Sequence, residues 1–313
     1  MKLQQLRYLV EVAKQGLNVS DAAEKLHTSQ PGISKQIRLL EDELGVQIFV
    51  RNGKRVVDVT PPGKEILQIA ERILREAKNL KGVGDEFANE QAGSLTIATT
   101  HTQARYALPK VIQRFVELYP QVRLSIKQGS PLQICEMVVN GEADLAIATE
   151  GIERFSDLAM LPCYDWNRSV VVPAGHPLLD ITRPLALADI GAYPIITYDF
   201  AFTGRSRINR AFEDAGIEPN VVLTAIDTDV IKTYVGLGLG VGIIASMAFE
   251  PERDSQLRCI DASHLFDAST TRIGIRKDAY LRGYVFAFIE LFAPHLHKEQ
   301  VQQAMGRPEE EEE

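Results

Sequence analysis

The chain has 313 residues, 45% of them hydrophobic and 24% charged, with a formal net charge of −8. This is the composition of an ordinary globular protein with room for two or three domains, and the acidity excludes an indiscriminate nucleic-acid coat. No apolar run approaches the ~18 residues of a membrane span. The amphipathic start MKLQQLRYLVEVAKQG is not a signal peptide. Three scattered cysteines, Cys135, Cys163 and Cys259, point to reduced thiols in the cytoplasm.

Charge is unevenly spread. Residues 1–60 carry nine Lys/Arg against seven Asp/Glu, so the excess of acid lies entirely beyond them. Leu3, Leu6, Leu9 and Val12 recur at helical spacing until Gly16. A second helix follows with Ser20 as cap and Ala22, Ala23 and Leu26 facing inward. HTSQPGISKQIRLLEDELG then predicts a third, capped by Thr28 or Ser29, with Ile33, Ile37, Leu40 and Leu44 as its apolar stripe and Gly45 at its end. Its other face presents Ser29, Gln30, Ser34, Lys35 and Arg38, donors suited to base edges and phosphates. Asn52-Gly53 between two β-rich runs signals a hairpin, with Arg51, Lys54 and Arg55 at its tip. Together these segments predict a winged helix-turn-helix over residues 1–60, the third helix in the major groove and the wing on the backbone. A small helical cap domain with solvated charges is the bland alternative.

Residues 61–90 read as a linker helix and hinge. Pro61-Pro62 opens it, Gly82 closes it, and Ile66, Ala70, Ile73, Ala77 and Leu80 form a narrow seam that suits dimerisation or packing on its own domain. DEFANEQAGS marks a boundary.

From residue 91 strand-like and helix-like runs alternate. Ser94–Ala98, Val122–Gln128 and Ala143–Ala148 read as strands, as do RSVVVP, YPIITY, NVVLTA, GVGIIA and TRIGIR. Helices fall near 108–118, 132–140, 206–215, 227–237 and 281–296. The pattern predicts mostly parallel sheets in two Rossmann-like α/β subdomains, about 91–163 plus 267–313 and 164–266, with a cleft between them. Ligands in such folds bind beyond strand C-termini, at helix N-termini. Thr100, Thr102, Gln103, Thr149 and Thr203 lie at such junctions. Capping accounts for one hydroxyl per helix but not for three before a single helix, so a neutral cradle for an anion such as sulfate is expected. Catalysis is not expected. G-x-S-x-G, H-E-x-x-H and the phosphate-loop lysine motif are all absent from the sequence, GLGLGVG stands in the wrong order for a dinucleotide fingerprint, and His295 and His297 lack further metal ligands. The glutamate run at 309–313 reads as a solvated tail.

SQPGISKQIRLLEDELGVQIFVRNGKRVVDVTPPG resembles the DNA-binding domain of LysR-type transcriptional regulators, including T-x-x-G at Thr60–Gly63. IATTHTQARYALP, QGSP, LPCYDWNRSVVV, FTGRS and TDVIKTYVGLGLGVGIIASMA extend the resemblance to the branch of that family that governs sulfur assimilation, over nearly the whole chain. The resemblance implies a periplasmic-binding-protein-like effector domain behind the all-α winged helix-turn-helix. It implies a cytoplasmic homotetrameric activator of sulfate-assimilation and cysteine-biosynthesis genes, with promoter DNA and RNA polymerase as partners and no membrane. Its implied effectors are N-acetylserine or O-acetylserine, with sulfate and thiosulfate, held by Thr100, Thr102, Gln103, Thr149 and Thr203 and sensed through Trp166. A paralogue serving sulfate starvation and sulfonate use is the alternative; a solute-binding protein or an enzyme acting on a small anion is more remote. One departure stands out: Asp199 is acidic where a neutral residue is expected, and facing the cleft it would weaken anion binding.

Overall fold

The computed structural model describes residues 1–53, 55–149, 155–199 and 205–306. It divides into two compact units, Met1–Asp85 and the residues from Glu86 onward.

The first unit opens with helices α1 (Leu3–Lys14), α2 (Val19–Lys25) and α3 (Gln30–Leu44). Asn18, not Ser20, caps α2: its carboxamide accepts from the amides of Ser20 and Asp21. An asparagine one residue ahead of the first turn reaches both orphan amides, which a serine inside that turn does not. Ser29 caps α3 by accepting from the Gly32 amide at 3.3 Å. Gly45 ends it at φ +70°, a left-handed turn that favours glycine. Strands β1 (Phe49–Asn52) and β2 (Arg55–Val59) pair antiparallel, with Gly53 at φ +61° in the turn. Leu9, Val12, Ile33, Ile37, Leu40, Ile48 and Phe49 are buried at the core.

Helix α4 (Pro61–Ala88) runs through Gly82 and Gly84, six residues past the expected stop. Its 28 residues make a rod of about 42 Å. Each internal glycine costs a helix only about 1 kcal/mol, which the rest of so long a helix offsets. Ile66, Ala70 and Ile73 of the seam pack on the unit's own core, whereas Leu80 is 76% exposed. The T-x-x-G motif has a local cause. Thr60 Oγ1 donates to the Gln47 carbonyl at 2.6 Å and accepts the Gly63 amide at 3.0 Å. A side chain on Gly63 would collide with the Ile48 carbonyl.

The second unit contains two five-stranded sheets, each the centre of a lobe. In chain order its elements are β3 (Ala92–Thr99), α5 (Leu108–Leu118), β4 (Gln121–Gln128), α6 (Pro131–Val139), β5 (Leu145–Ala148) and β6 (Leu158–Trp166). Then come β7 (Arg168–Pro173), α7 (Leu187–Gly191), β8 (Ile195–Tyr198), α8 (Arg205–Asp214), β9 (Val221–Ala225), α9 (Thr228–Gly236), β10 (Val241–Ala245) and β11 (Leu257–Asp261). The chain closes with β12 (Ser269–Arg276), α10 (Gly283–Phe292) and α11 (Lys298–Ala304). Lobe I has the order β4-β3-β5-β12-β6 and lobe II the order β11-β7-β10-β8-β9.

The sheets are less parallel than the alternating pattern suggested. β3 runs parallel to β4 and β5, and β8 to β9 and β10. β12 is antiparallel to β5 and β6, and β7 to β10 and β11. The strands that pass between lobes enter each sheet from the crossover end, against the direction of the β-α units. β6 stays in sheet I to Trp166, so the first crossover falls at Asn167, a little beyond residue 163.

Candidate DNA-binding surface and anion cradle

On α3, Ser29, Lys35 and Arg38 are exposed, while Gln30 and Ser34 are half-buried on the same face. Gln30 Nε2 donates to Ser34 Oγ at 3.3 Å. Arg55 is exposed at the start of β2, and Lys54 lies outside the described residues. Arg51 is placed differently from the other tip residues. Its guanidinium meets the buried Glu41 at 2.8 Å and 3.1 Å. The same carboxylate accepts the amides of Ile48 and Phe49 at 2.8 Å and 3.1 Å. Arg51 therefore ties the wing to α3, a role its position at a basic tip did not reveal.

The C-terminal ends of β3 and β5 lie side by side, Thr99 opposite Ile147. Thr99 Oγ1 donates to the Ile147 carbonyl at 2.9 Å and so faces the core. Beyond it the chain turns into a helical segment whose first amides have no carbonyl behind them. Residues 103–107 of this segment form a π-helical turn. Pro109 follows, with no amide to donate and a ring that crowds the preceding turn, and a widened turn accommodates both.

Thr100, Thr102, Gln103, Thr149 and Trp166 are between 2% and 8% exposed. Thr102 Oγ1 stands beside the Tyr198 hydroxyl yet forms no hydrogen bond among the described residues. Thr149 Oγ1 accepts from Trp166 Nε1 at 3.2 Å, leaving its own proton to give. Gln103 is a brace: its Nε2 donates to Thr271 at 3.1 Å and its Oε1 accepts from Tyr164 at 2.6 Å. Tyr198, on lobe II, shares a 2.6 Å bond with Thr228 and accepts the Ala245 amide. Burial pushes the phenols of Tyr164 and Tyr198 up, so both stay neutral. Thr203 lies outside the described residues. The Asp199 carboxylate acts on the buried Arg205, countering the drop that burial imposes on that guanidinium.

A clasp joins the lobes beside this cradle. Tyr106 donates to Asp229 at 2.6 Å, Arg105 meets Glu250 at 3.0 Å, and His101 lies 3.9 Å from Asp229. Lys232, 7% exposed, binds Asp254 at 2.9 Å and lies 3.4 Å from Asp229. Burial would raise the Asp229 carboxyl, but the Tyr106 hydroxyl and the Lys232 charge outweigh it and hold the group low. His295 and His297 engage separate oxygens, Pro162 and Glu290.

A three-helix unit with a basic wing, joined to two mixed sheets around a polar junction, is the architecture of a ligand-responsive DNA-binding regulator. Residues 3–64 match the bacterial regulatory helix-turn-helix protein, lysR family, and residues 88–297 match the LysR substrate binding domain. The chain belongs to the LysR family of transcriptional regulators.

It is 55% identical to the HTH-type transcriptional regulator SsuR of Burkholderia cenocepacia over 96% of this chain and 97% of that one. It is 53% identical to the regulator CysB of the same organism, over 97% of both chains. Among solved structures, the cofactor-binding domain of the Cbl transcriptional regulator superposes with a TM-score of 0.67 at 45% identity, over 69% of this chain and 95% of that domain.

Proposed function

We propose that this regulator activates sulfate-assimilation and cysteine-biosynthesis genes, and that sulfur-linked effectors bind between its lobes. Sulfate or thiosulfate would take the hydroxyls of Thr100, Thr102 and Thr149, and N-acetylserine or O-acetylserine would place its carboxylate there. Thr203 completes this set in the proposal, and Trp166 reports occupancy. The carrying observation is the Thr102 hydroxyl, buried beside the neutral donors Thr100 and Thr149 and without a well-formed hydrogen bond among the described residues. A buried hydroxyl left without a partner is unfavourable, and an anion supplies what it lacks.

Effector binding shifts the balance between open and closed lobes, and promoter affinity follows from that shift. Ser29, Gln30, Ser34, Lys35, Arg38, Lys54 and Arg55 are the DNA contacts, with Arg51 positioning the wing. A homotetramer built on two-fold pairs matches paired half-sites, and RNA polymerase is the partner in activation. The work is regulatory, with no catalytic step.

The test is a footprint titration upstream of sulfur genes with N-acetylserine, sulfate and adenylylsulfate. A shift with N-acetylserine supports the cysteine-regulon assignment, and a shift with adenylylsulfate alone moves it to the sulfate-starvation paralogue. No response to any effector removes the reading. Arg38→Ala should weaken operator binding and lower its salt slope by about one, as loss of one phosphate contact does.

A further inference from the structure

Thr100, Thr102, Gln103 and Thr149 are all neutral, yet a cation lies against the Trp166 ring that bonds Thr149. Arg168, the first residue of β7, is 0% exposed. Its Nη1 donates to the Asp267 carbonyl at 3.0 Å and its Nη2 to Ser269 Oγ at 2.8 Å. Arginine stays protonated even there. Its guanidinium carbon sits 5.0 Å from the centre of the Trp166 ring. At the edge of the same indole, Nε1 donates to Thr149 Oγ1. The charge also reaches the Tyr198 phenol, the neighbour of Thr102.

We propose that Arg168 is the charge-setting residue of the anion site, acting through the Trp166 ring and the Thr149 hydroxyl without touching the ligand. A cation over the ring face draws electron density toward itself and makes the indole N–H a stronger donor. Thr149, accepting that stronger bond, becomes a stronger donor in turn, because hydrogen bonds in series polarise one another. The guanidinium is screened by protein instead of water, so its field also acts directly across the indole. Loss of Arg168 therefore costs a dianion more than a monoanion. The proposal rests on the anion-cradle assignment above.

Titration calorimetry on the full chain with sulfate and with methanesulfonate tests it. Both offer sulfonyl oxygens but carry different charge. Arg168→Gln is expected to weaken sulfate on the order of tenfold and methanesulfonate about threefold, because a Coulomb energy doubles with the anion's charge and the fold-change squares. Ser269→Asp sets a carboxylate against the same guanidinium, neutralises it in place, and should lower the sulfate-to-methanesulfonate ratio likewise, even where Arg168→Gln fails to fold. Arg168→Lys keeps the charge and the ratio. Equal losses of both anions in Arg168→Gln and Ser269→Asp reduce Arg168 to a structural role and overturn the proposal. Wild-type protein that binds neither anion overturns the cradle itself and this inference with it.

Discussion

Thr102 and Thr99 are the same residue type three positions apart with opposite fates. Thr99 donates into the core, while Thr102 is buried beside the Tyr198 hydroxyl with no well-formed hydrogen bond among the described residues. Thr102→Val removes an unsatisfied hydroxyl and keeps the volume, so the ligand-free protein should melt higher, in line with about 1–3 kcal/mol for such a group. Calorimetry on the same variant should show weaker sulfate binding; unchanged binding would move the anion elsewhere. The cysteines offer a second test at this scale. Burial pushes the thiols of Cys135 and Cys163 up to about 12. Both are also buried, so iodoacetamide on the folded chain should leave them unmodified by mass spectrometry; Cys259, whose thiol is likewise pushed up by desolvation but is exposed, should be marked slowly. The threonines stood out in the sequence because capping accounts for one hydroxyl per helix and not for three. Arg168 could not, because its partner Trp166 is local while its other partners lie about a hundred residues away in β12 and the segment before it.

Among the elements, Glu41 ties the third helix to the wing through Ile48, Phe49 and Arg51. Glu41→Ala leaves two buried amides and a half-buried guanidinium without their acceptor, and each buried group orphaned in this way costs about 1–3 kcal/mol. Thermal unfolding of the first unit should fall accordingly, and Arg51→Ala should lower DNA affinity together with stability. The hairpin followed from Asn52-Gly53, but its register did not: Asn52 still pairs with Arg55 at the end of β1, and the pairing shifts between Val50 and Arg51. Gly82 does not end α4, because glycine weakens a helix without forbidding it. The clasp on α9 predicts a pH response. The Asp229 carboxyl is depressed in the clasped state, so its contribution is complete above the ordinary carboxylate value of about 4 and fades as pH falls below it. The emission of Trp166, the single tryptophan, should shift on acidification below that value. Asp229→Asn should show the shifted emission already at pH 7, with no further acid step.

For the whole molecule, the alternation of strands and helices was enough to count the sheets but not to orient every strand. The sequence signal of a strand is its burial pattern, which is the same whichever way it runs. Thus β7 and β12, expected in mostly parallel sheets, are antiparallel to their neighbours, and β6 and β11 are strands that the alternating pattern did not mark. What orients β7 and β12 is the route between the lobes. β6 and β12 are hydrogen-bonded neighbours in lobe I, with Trp166 directly opposite Ser269. Those two residues are therefore the two sides of an open hairpin, and all of lobe II is the loop that joins them. Lobe I has its own core, from Leu95 to Met305, drawing on none of the described residues between 168 and 267. Lobe II is thus a guest inserted into a host fold, in the manner that domain insertion tolerates. Joining Trp166 to Ser269 through an Asn-Gly turn should yield a self-standing lobe I that unfolds cooperatively on heating and binds no sulfate. If that shortened chain shows no cooperative melting, the guest is holding its host together.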